Sequence, residues 1–304
     1  MDIIKKIISQ TKNPNKTFVF PEGEDERILK AVSLAVKHKL INSIVLGDEN
    51  IIKEIAKKNR INLKNIKIIT PKDSRGPLYH AASMVVAGDA DSFVAGAVYP
   101  TREVIIASLK IIGLRKNVSI PSSFFLMNIP NYSGGENGDL IFSDVAVNIN
   151  PTAKELAEIA VLSGQTAKRL LGWEPRVALL SFSTHGSAKH PDVNKVIQAT
   201  KLAKKKAKGM KIEGELQADA ALVPEIAKRK VQGSSKVAGH ANVLIFPDLN
   251  SGNLCYKLTQ RLANARAYGP ILLGFNKPIS DLSRGATVED ILGVIALLSI
   301  WSEK

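Results

Sequence analysis

The sequence is poor in cysteine, the residue that forms the disulfides of small secreted domains and binds structural metals. Its 304 residues include a single cysteine, Cys255, so it has no intrachain disulfide and no cysteine cluster for zinc. Such a low cysteine content is typical of proteins in a reducing compartment, and it predicts a cytoplasmic location. Cys255 lies in a helical pattern, and we interpret it as a packing residue rather than as a nucleophile.

Aromatic residues and long apolar runs are also scarce. Aromatic residues make up 5% of a chain that is 45% hydrophobic, so the core is expected to consist mostly of Ile, Val, Leu and Ala. No uninterrupted apolar run approaches the roughly 18 residues of a membrane-spanning helix. Residues 1–16 carry lysines among isoleucines, which predicts an amphipathic helix rather than a secretion signal.

Several catalytic motifs are missing. The sequence has no Walker loop, no G-x-G-x-x-G after a strand and no G-x-S-x-G elbow, which argues against three common enzyme classes. The five histidines lack HExxH spacing. His185 and His190 share one loop, but no carboxylate partner is evident from the sequence, so no metal site is predicted.

Basic residues exceed acidic ones, and the formal net charge is +14. Nucleic acid, an anionic surface or a small polyanion could each account for this charge. The densest lysine run, residues 201–211, is typical of a solvated helix face. Because no nucleic-acid-binding motif is present, a nucleic-acid partner is not predicted.

Short apolar strands alternate with helical patterns along most of the chain, which predicts an α/β protein with mostly parallel sheets. The alternation is interrupted between residues 118 and 147, where two strand-like runs flank the turn-rich segment YSGGENGD. It resumes with a helix expected to be capped by Asn150. Asp48 is expected to cap an earlier helix, and two later helices are expected over residues 218–229 and 253–268. The break favours two domains.

Polar loops that follow predicted strands are the candidate sites, because ligands of such sheets bind at the carboxyl ends of strands. Residues 181–190 (SFSTHGSAKH) could bind an anion or simply cap a helix. Residues 212–221 and 246–253 carry acids and amides that could equally serve as turn residues. The fourth loop is the segment NKPISDLSRGATVEDI, residues 276–291.

That fourth loop precedes the last predicted helix. Thr287 and Asp290 have the spacing of a capping box, which gives Asp290 a structural role. Ser283 and Arg284 lie outside the predicted helix and have no such role. A hydroxyl, a guanidinium and a carboxylate near one helix N-terminus could bind an anionic substrate and accept a proton.

The segment NKPISDLSRGATVEDI resembles the C-terminal signature of the phosphate acetyltransferases and phosphate butyryltransferases. Further blocks resemble the family in order along nearly the whole chain, namely VFPEGEDERILKAV, FVAGAVYPT, DVAVNINPTAKELAEIA, SFSTHGSAKHPDV, GELQADAAL and NVLIFPDLNSGNLCYKLTQRL. The segments FPDLNSGN and DLSRG are more similar to the acetyltransferase branch.

The resemblance implies transfer of an acetyl group between coenzyme A and inorganic phosphate, without a metal, a cofactor or an acyl-enzyme. It implies two α/β domains similar to those of isocitrate and isopropylmalate dehydrogenases, with a substrate cleft between them and homodimeric or larger assembly. We divide the chain into residues 1–129 with 273–304, and residues 130–272. No membrane partner is expected.

By motif position, the resemblance assigns the catalytic roles to Ser283, Arg284 and Asp290. Arg284 would bind the phosphoryl group, Ser283 would hydrogen-bond the oxyanion, and Asp290 would be the base if its pKa is raised. Six further residues are predicted to contact substrates, namely Thr101, Arg102, Ser183, Thr184, Asn276 and Lys277.

The sequence departs from the family pattern at three positions. Many members have an arginine where this chain has Ile106, and Arg102, one helical turn earlier, could replace it. Val145 and His185 stand where a cysteine and a lysine are frequent. These departures leave open a butyryl- or propionyl-specific enzyme. A non-catalytic acyl-CoA-sensing domain is the alternative from another class.

Overall fold

The computed structural model describes residues 3–10 and 16–301, and for Gln10 it describes the backbone alone. The strands, in chain order, are β1 (Thr17–Phe20), β2 (Asn42–Leu46), β3 (Ile66–Ile69), β4 (Ser92–Ala95), β5 (Ser122–Asn128), β6 (Asp139–Ser143), β7 (Arg176–Leu180), β8 (Lys211–Leu216), β9 (Val243–Ile245), β10 (Arg266–Leu273) and β11 (Ile279–Asp281).

The helices alternate with these strands. They are α1 (Ile3–Gln10), α2 (Glu26–Lys37), α3 (Glu49–Lys58), α4 (Pro77–Ala87), α5 (Thr101–Ile111), α6 (Gly134–Asn137), α7 (Ala153–Leu171), α8 (Pro191–Lys206), α9 (Ala218–Leu222), α10 (Pro224–Lys230), α11 (Leu249–Leu262) and α12 (Val288–Ser299). None of the helices in the described part of the chain is long and apolar enough to cross a membrane. The predicted α/β class is confirmed.

The chain forms two compact units. The first contains Met1–Asn117 and Tyr268–Lys304, and the second contains Val118–Ala267. The division predicted from the sequence, at residues 129 and 272, would leave β5 in the first domain. The contacts assign β5 to the second unit, where it pairs with β6 over five residues in antiparallel register.

The first unit contains a sheet of strand order β3-β2-β1-β4-β11-β10. Its strands are parallel except for β10, which runs antiparallel to β11. The sequence did not predict β11, because three residues are too few to show an alternating pattern. This short strand nevertheless sets the position of the segment that follows it, residues 282–287.

The second unit contains a sheet of order β5-β6-β9-β7-β8. Its strands are parallel except for the β5–β6 hairpin. Part of its core is aromatic: the rings of Phe125 and Tyr256 stack with centroids 4.5 Å apart, and those of Phe142 and Phe246 meet at 5.2 Å. These four aromatic residues are all buried.

Helix starts agree with the sequence where the capping side chain is local. Asp48 caps α3 by accepting hydrogen bonds from the N–H groups of Asn50 and Ile51. The prediction that Asn150 caps α7 is wrong, because Thr152 is the N-cap. Thr152 and Glu155 form a capping box, which satisfies two backbone N–H groups and therefore starts the helix two residues later.

Three other sequence predictions are wrong in detail. The helix expected over 218–229 is divided into α9 and α10 at Val223, because Pro224 cannot donate a helical hydrogen bond. The helix expected over 253–268 is α11, which begins at Leu249 and ends at Leu262. Cys255 is exposed on α11, so it is not the packing residue that was predicted.

Candidate active site

Three neighbouring strands of the first unit end side by side. β1 and β11 both pair in parallel with β4, so the loops that follow all three strands lie at the same edge of the sheet. These loops are residues 21–25, residues 96–100 and residues 282–287. Since the carboxyl ends of parallel strands are where α/β sheets bind ligands, this edge is the candidate site.

The buried carboxylate of Glu22 holds the loop after β4. Its Oε2 accepts a hydrogen bond from the N–H of Ala97 at 2.9 Å, and its Oε1 accepts from Val98 and Tyr99, both at 2.7 Å. Burial raises the pKa of Glu22, although these backbone hydrogen bonds oppose the shift. The 96–100 loop is therefore fixed by a side chain from the neighbouring loop.

Arg27 connects all three loops. Its guanidinium donates hydrogen bonds to the carbonyls of Arg284 at 2.7 Å and Ala286 at 3.3 Å, in the loop after β11, and to that of Ala97 at 2.9 Å. The guanidinium also pairs with Asp25 at 2.8 Å, which fixes its orientation. Arg27 thus holds the backbone of the loop that carries the predicted catalytic pair.

The predicted catalytic pair lies on a tight turn. The Ser283 hydroxyl accepts a hydrogen bond from the N–H of Gly285 at 3.3 Å, and the Ser283 carbonyl accepts from Ala286 at 2.8 Å. Ser283 is partly exposed, and Arg284 is exposed. Because the backbone of Arg284 is held while its side chain faces solvent, the guanidinium is accessible to a ligand.

Asp290 takes part in the capping box predicted from the sequence. Its Oδ2 accepts from the N–H of Thr287 at 3.0 Å, and its own N–H donates to the Thr287 hydroxyl at 3.1 Å. This arrangement places the carboxylate in the first turn of α12. The structural role of Asp290 is real, and a catalytic role must coexist with it.

Thr101 and Arg102 begin α5 at the same edge of the sheet. Thr101 is partly exposed and Arg102 is exposed. Ile106, where many family members have an arginine, lines a cavity of about 100 Å³ together with Arg75 and Tyr99. Arg75 is held by Asp73 and lies over the ring of Tyr79, with its Cζ 4.7 Å from the ring centroid.

Asn276 lies at the other end of α5. Its side-chain amide donates to the carbonyl of Ile112 at 3.0 Å, and its backbone N–H donates to that of Gly113 at 3.0 Å. Both Asn276 and the half-buried Lys277 precede β11, whereas Ser283 follows it. The structure therefore does not bring Asn276 to the edge where Thr101 and Ser283 lie.

Ser183 and Thr184 belong to the second unit and are both buried. The Ser183 hydroxyl donates to Glu215 at 2.9 Å, and the Thr184 hydroxyl accepts from the backbone N–H of Gln217 at 3.0 Å. These bonds attach the loop after β7 to the end of β8. In this geometry both hydroxyls hold the loop.

The remaining departures from the family pattern have ordinary surroundings. Val145 is fully buried in the core of the second unit. His185 lies 3.2 Å from a carboxylate oxygen of Glu213, a partner that the sequence did not reveal. No group of three or more His, Cys, Asp or Glu side chains suited to a metal ion occurs among residues 3–9 and 16–301.

The fold and the candidate site define an α/β protein in which a Ser-Arg pair and a helix-capping aspartate follow a strand at the carboxyl edge of a parallel sheet. A family model described as "Phosphate acetyl/butaryl transferase" matches residues 2–77 and 74–299. The chain belongs to this family.

Individual relatives support the same assignment. The chain is 42% identical to the phosphate acetyltransferase of Acetivibrio thermocellus over 331 aligned positions, which cover 100% of this chain and 99% of the relative. A solved phosphotransacetylase from Streptococcus pyogenes is 37% identical and superposes with a TM-score of 0.89, covering 98% of this chain and 97% of the other.

A more distant neighbour bears on the fold alone. The structure of a putative 4-hydroxythreonine-4-phosphate dehydrogenase from Salmonella typhimurium is 12% identical, with a TM-score of 0.57 over 95% of this chain and 99% of the other. The similarity agrees with the predicted dehydrogenase-like α/β architecture. A similarity of fold alone gives no information about the reaction.

The alignment with the Acetivibrio thermocellus relative contains 331 positions, 27 more than the 304 residues of this chain. The family match is divided into two segments that meet at residues 74–77, in the loop before α4. That loop is consequently the best candidate for the place where the relatives have additional residues. It contains Arg75, which lines the cavity beside Ile106.

Proposed function

We propose that this protein transfers an acetyl group between coenzyme A and inorganic phosphate. Membership of the family and full-length similarity to phosphate acetyltransferases support the reaction class. The observation that carries the proposal in the structure is the exposed Arg284, whose backbone Arg27 holds at the carboxyl edge of three parallel strands. A guanidinium there is suited to a phosphoryl group.

In the proposed reaction the thiol of coenzyme A attacks the carbonyl carbon of acetyl phosphate. The sulfur–carbon bond forms, the bond between that carbon and the phosphate oxygen breaks, and phosphate leaves. Asp290 accepts the thiol proton through Oδ1, because Oδ2 is engaged in the capping box. Arg284 neutralises the phosphoryl charge, and the Ser283 hydroxyl donates to the oxyanion.

The proposal requires acetyl phosphate and coenzyme A to be consumed together. We expect thioester to form, measured by its ultraviolet absorbance, only when both substrates and the protein are present. Acetyl, propionyl and butyryl phosphate should be compared in parallel, because the departure at Ile106 bears on the acyl group. Faster turnover of butyryl than of acetyl phosphate would reassign the substrate while leaving the reaction class intact.

Homodimeric assembly and a cytoplasmic location complete the proposal. Helix α11 exposes Leu254, Leu258 and Leu262 at spacings of four residues, with 60%, 55% and 80% of their surfaces accessible. A row of exposed leucines is typical of surfaces that bind another protein. Light scattering on the wild type and on Leu258→Glu tests this part, since a dimer that uses α11 should dissociate in the variant.

A further inference from the structure

Asp281, the last residue of β11, is a buried carboxyl group without a hydrogen bond. Its side chain is 1% exposed, and neither Oδ1 nor Oδ2 has a hydrogen-bond partner within residues 3–10 and 16–301. Four other buried carboxyl groups each accept two or more hydrogen bonds, namely Glu22, Asp144, Glu158 and Glu215. Because burying an unpaired charge is costly, the surroundings of Asp281 favour its neutral form.

The loop after β4 lies directly against this carboxyl group. A Cβ atom at Gly96 would lie 2.4 Å from Oδ1 of Asp281 and 2.5 Å from the backbone nitrogen of Leu282. Only a glycine permits this approach, and the φ of +103° at Gly96 also favours glycine. The next three residues of the loop donate their N–H groups to Glu22, so two carboxyl groups contact one short loop.

The groups that face Asp281 come from each element packed against it. Glu22 in the loop after β1 is acidic and buried, and Arg27 of α2 is already engaged with Asp25 and three carbonyls. Strand β4 presents Ala95 opposite Asp281, and β10 is aligned with residues 279 and 280 through Leu272 and Ile271. Helix α5 also packs against β11 and brings Thr101 near the carboxyl group, whereas its charged residues Arg102, Glu103 and Lys110 are exposed. Within the described residues, the carboxyl group therefore has an acidic neighbour and no hydrogen-bonded basic partner.

These surroundings shift the titration of the group. The net effect raises the pKa of Asp281 to about 7: burial is the largest cause, the nearby Thr101 hydroxyl opposes it, and the charge of Glu22 adds a smaller upward shift. Ionisation would place a second negative charge under the loop that begins α5. It would do so two residues before Ser283 and three before Arg284.

We propose that Asp281 is a positioning residue of the acyl-transfer site and that it works in its protonated form. Neutral, it supports the Gly96 loop and leaves the charge of Arg284 available to an anionic substrate. Ionised, it repels Glu22 and the phosphoryl group, and binding weakens. This inference rests on the proposed function, because it assigns the anionic substrate to the edge that carries Arg284.

The substitution Asp281→Asn tests the inference, because Asn has the same shape and cannot ionise. The Michaelis constant for acetyl phosphate should be measured from about pH 6 to about pH 9, and in the wild type it should approach a tenfold rise per unit above the pKa as the protonated fraction falls. In Asp281→Asn the rise should be absent, because the side chain stays neutral over the whole pH range. Titration of the substrates affects the wild type and the variant equally, so it cancels when their pH profiles are compared.

Asp290→Asn is the matched control, since it removes a carboxylate from the same edge. It should reduce kcat and retain the pH-dependent rise of the Michaelis constant. If Asp281→Asn folds poorly, Glu22→Gln replaces it: removing that charge lowers the pKa of Asp281, so the rise should move to lower pH. A Michaelis constant with the same pH profile in the wild type and in the variant used would overturn the inference.

A second readout does not depend on activity. The folded pKa near 7 lies above the reference value of 3.8, so protonated Asp281 stabilises the fold at low pH, and this stability is lost as the pH rises from about 4 to about 7. The unfolding temperature of Asp281→Asn relative to the wild type should rise over that window and level off above it. If the difference in unfolding temperature between Asp281→Asn and the wild type did not change with pH, the claim that Asp281 is neutral in the folded protein would be refuted. This result would hold whether or not the protein catalyses the proposed reaction.

Discussion

Asp290→Asn separates the two roles of this residue, helix capping and proton transfer. The amide oxygen of Asn can still accept the hydrogen bond that Thr287 now donates to Oδ2 at 3.0 Å, so the cap is retained. An amide cannot accept the thiol proton, and we expect turnover to fall at least about a hundredfold, the scale of lost general-base catalysis. The free energy of unfolding should change by less than about 1 kcal/mol, which is the typical contribution of a complete N-cap.

Asp290→Ala removes the base and the hydrogen bond from the N–H of Thr287, whereas the Thr287 hydroxyl can still accept from the backbone N–H of residue 290. Loss of the capping bond should lower stability by about 1 kcal/mol, which corresponds to roughly 2–4 °C in the unfolding temperature of a domain of 150–250 residues. The turnover of Asp290→Ala should be close to that of Asp290→Asn, because the same proton acceptor is missing in both variants. Calorimetry and steady-state kinetics on the same preparations give both quantities.

The chain provides a control in its second capping box, at the start of α7. There Thr152 donates its N–H to Glu155 at 2.7 Å, in the same arrangement as Thr287 and Asp290. Glu155→Ala should lose similar stability and keep its turnover. If Asp290→Asn kept its rate and Asp290→Ala lost only stability, Asp290 would be a cap alone and the proposed base would be wrong.

Three shorter predictions concern other parts of the chain. Arg102→Ala should raise the Michaelis constant for acetyl phosphate at least about tenfold, a loss of about 1.4 kcal/mol, and Ile106→Arg in the same chain should restore it; unchanged kinetics in Arg102→Ala would remove that residue from the site. Activity should survive dialysis against a chelator, because the proposed steps use Ser283, Arg284 and Asp290; loss with a chelator and recovery with a divalent ion would contradict this. Gly293→Ala should destabilise the first unit by about 1–3 kcal/mol in chemical denaturation, because its Cβ would lie 2.1 Å from the ring of Tyr268; a variant as stable as the wild type would show that the ring can move.

The sequence predicted the parts of the fold that depend on neighbouring residues. The capping box of Thr287 and Asp290 follows from a spacing of three, and it is present. The helix start at Asn150 was predicted wrongly, because two plausible caps lie within three residues and only the Thr152–Glu155 pair closes a box. β11 was not predicted, because it is stabilised by β4 and β10 rather than by its own pattern.

The sequence analysis missed three residues of the candidate site for the same reason. Glu22 binds N–H groups 75 to 77 positions away, and Arg27 binds a carbonyl 257 positions away. Asp281 has no hydrogen-bond partner in the described part of the chain, and only burial distinguishes it. Only Glu22 has a local signal: it lies two residues after the apolar strand β1, where a turn residue is the simpler interpretation.

Phosphate-dependent cleavage of acetyl-CoA tests the central claim most directly. The purified chain should convert acetyl-CoA and phosphate into coenzyme A and acetyl phosphate, measured as free thiol and as acyl phosphate in equal amounts. Arg284→Gln should reduce this rate at least about a hundredfold while the protein remains folded. Thiol release that is independent of phosphate, or acetyl-CoA binding with no turnover, would contradict the account and favour a hydrolase or an acyl-CoA sensor.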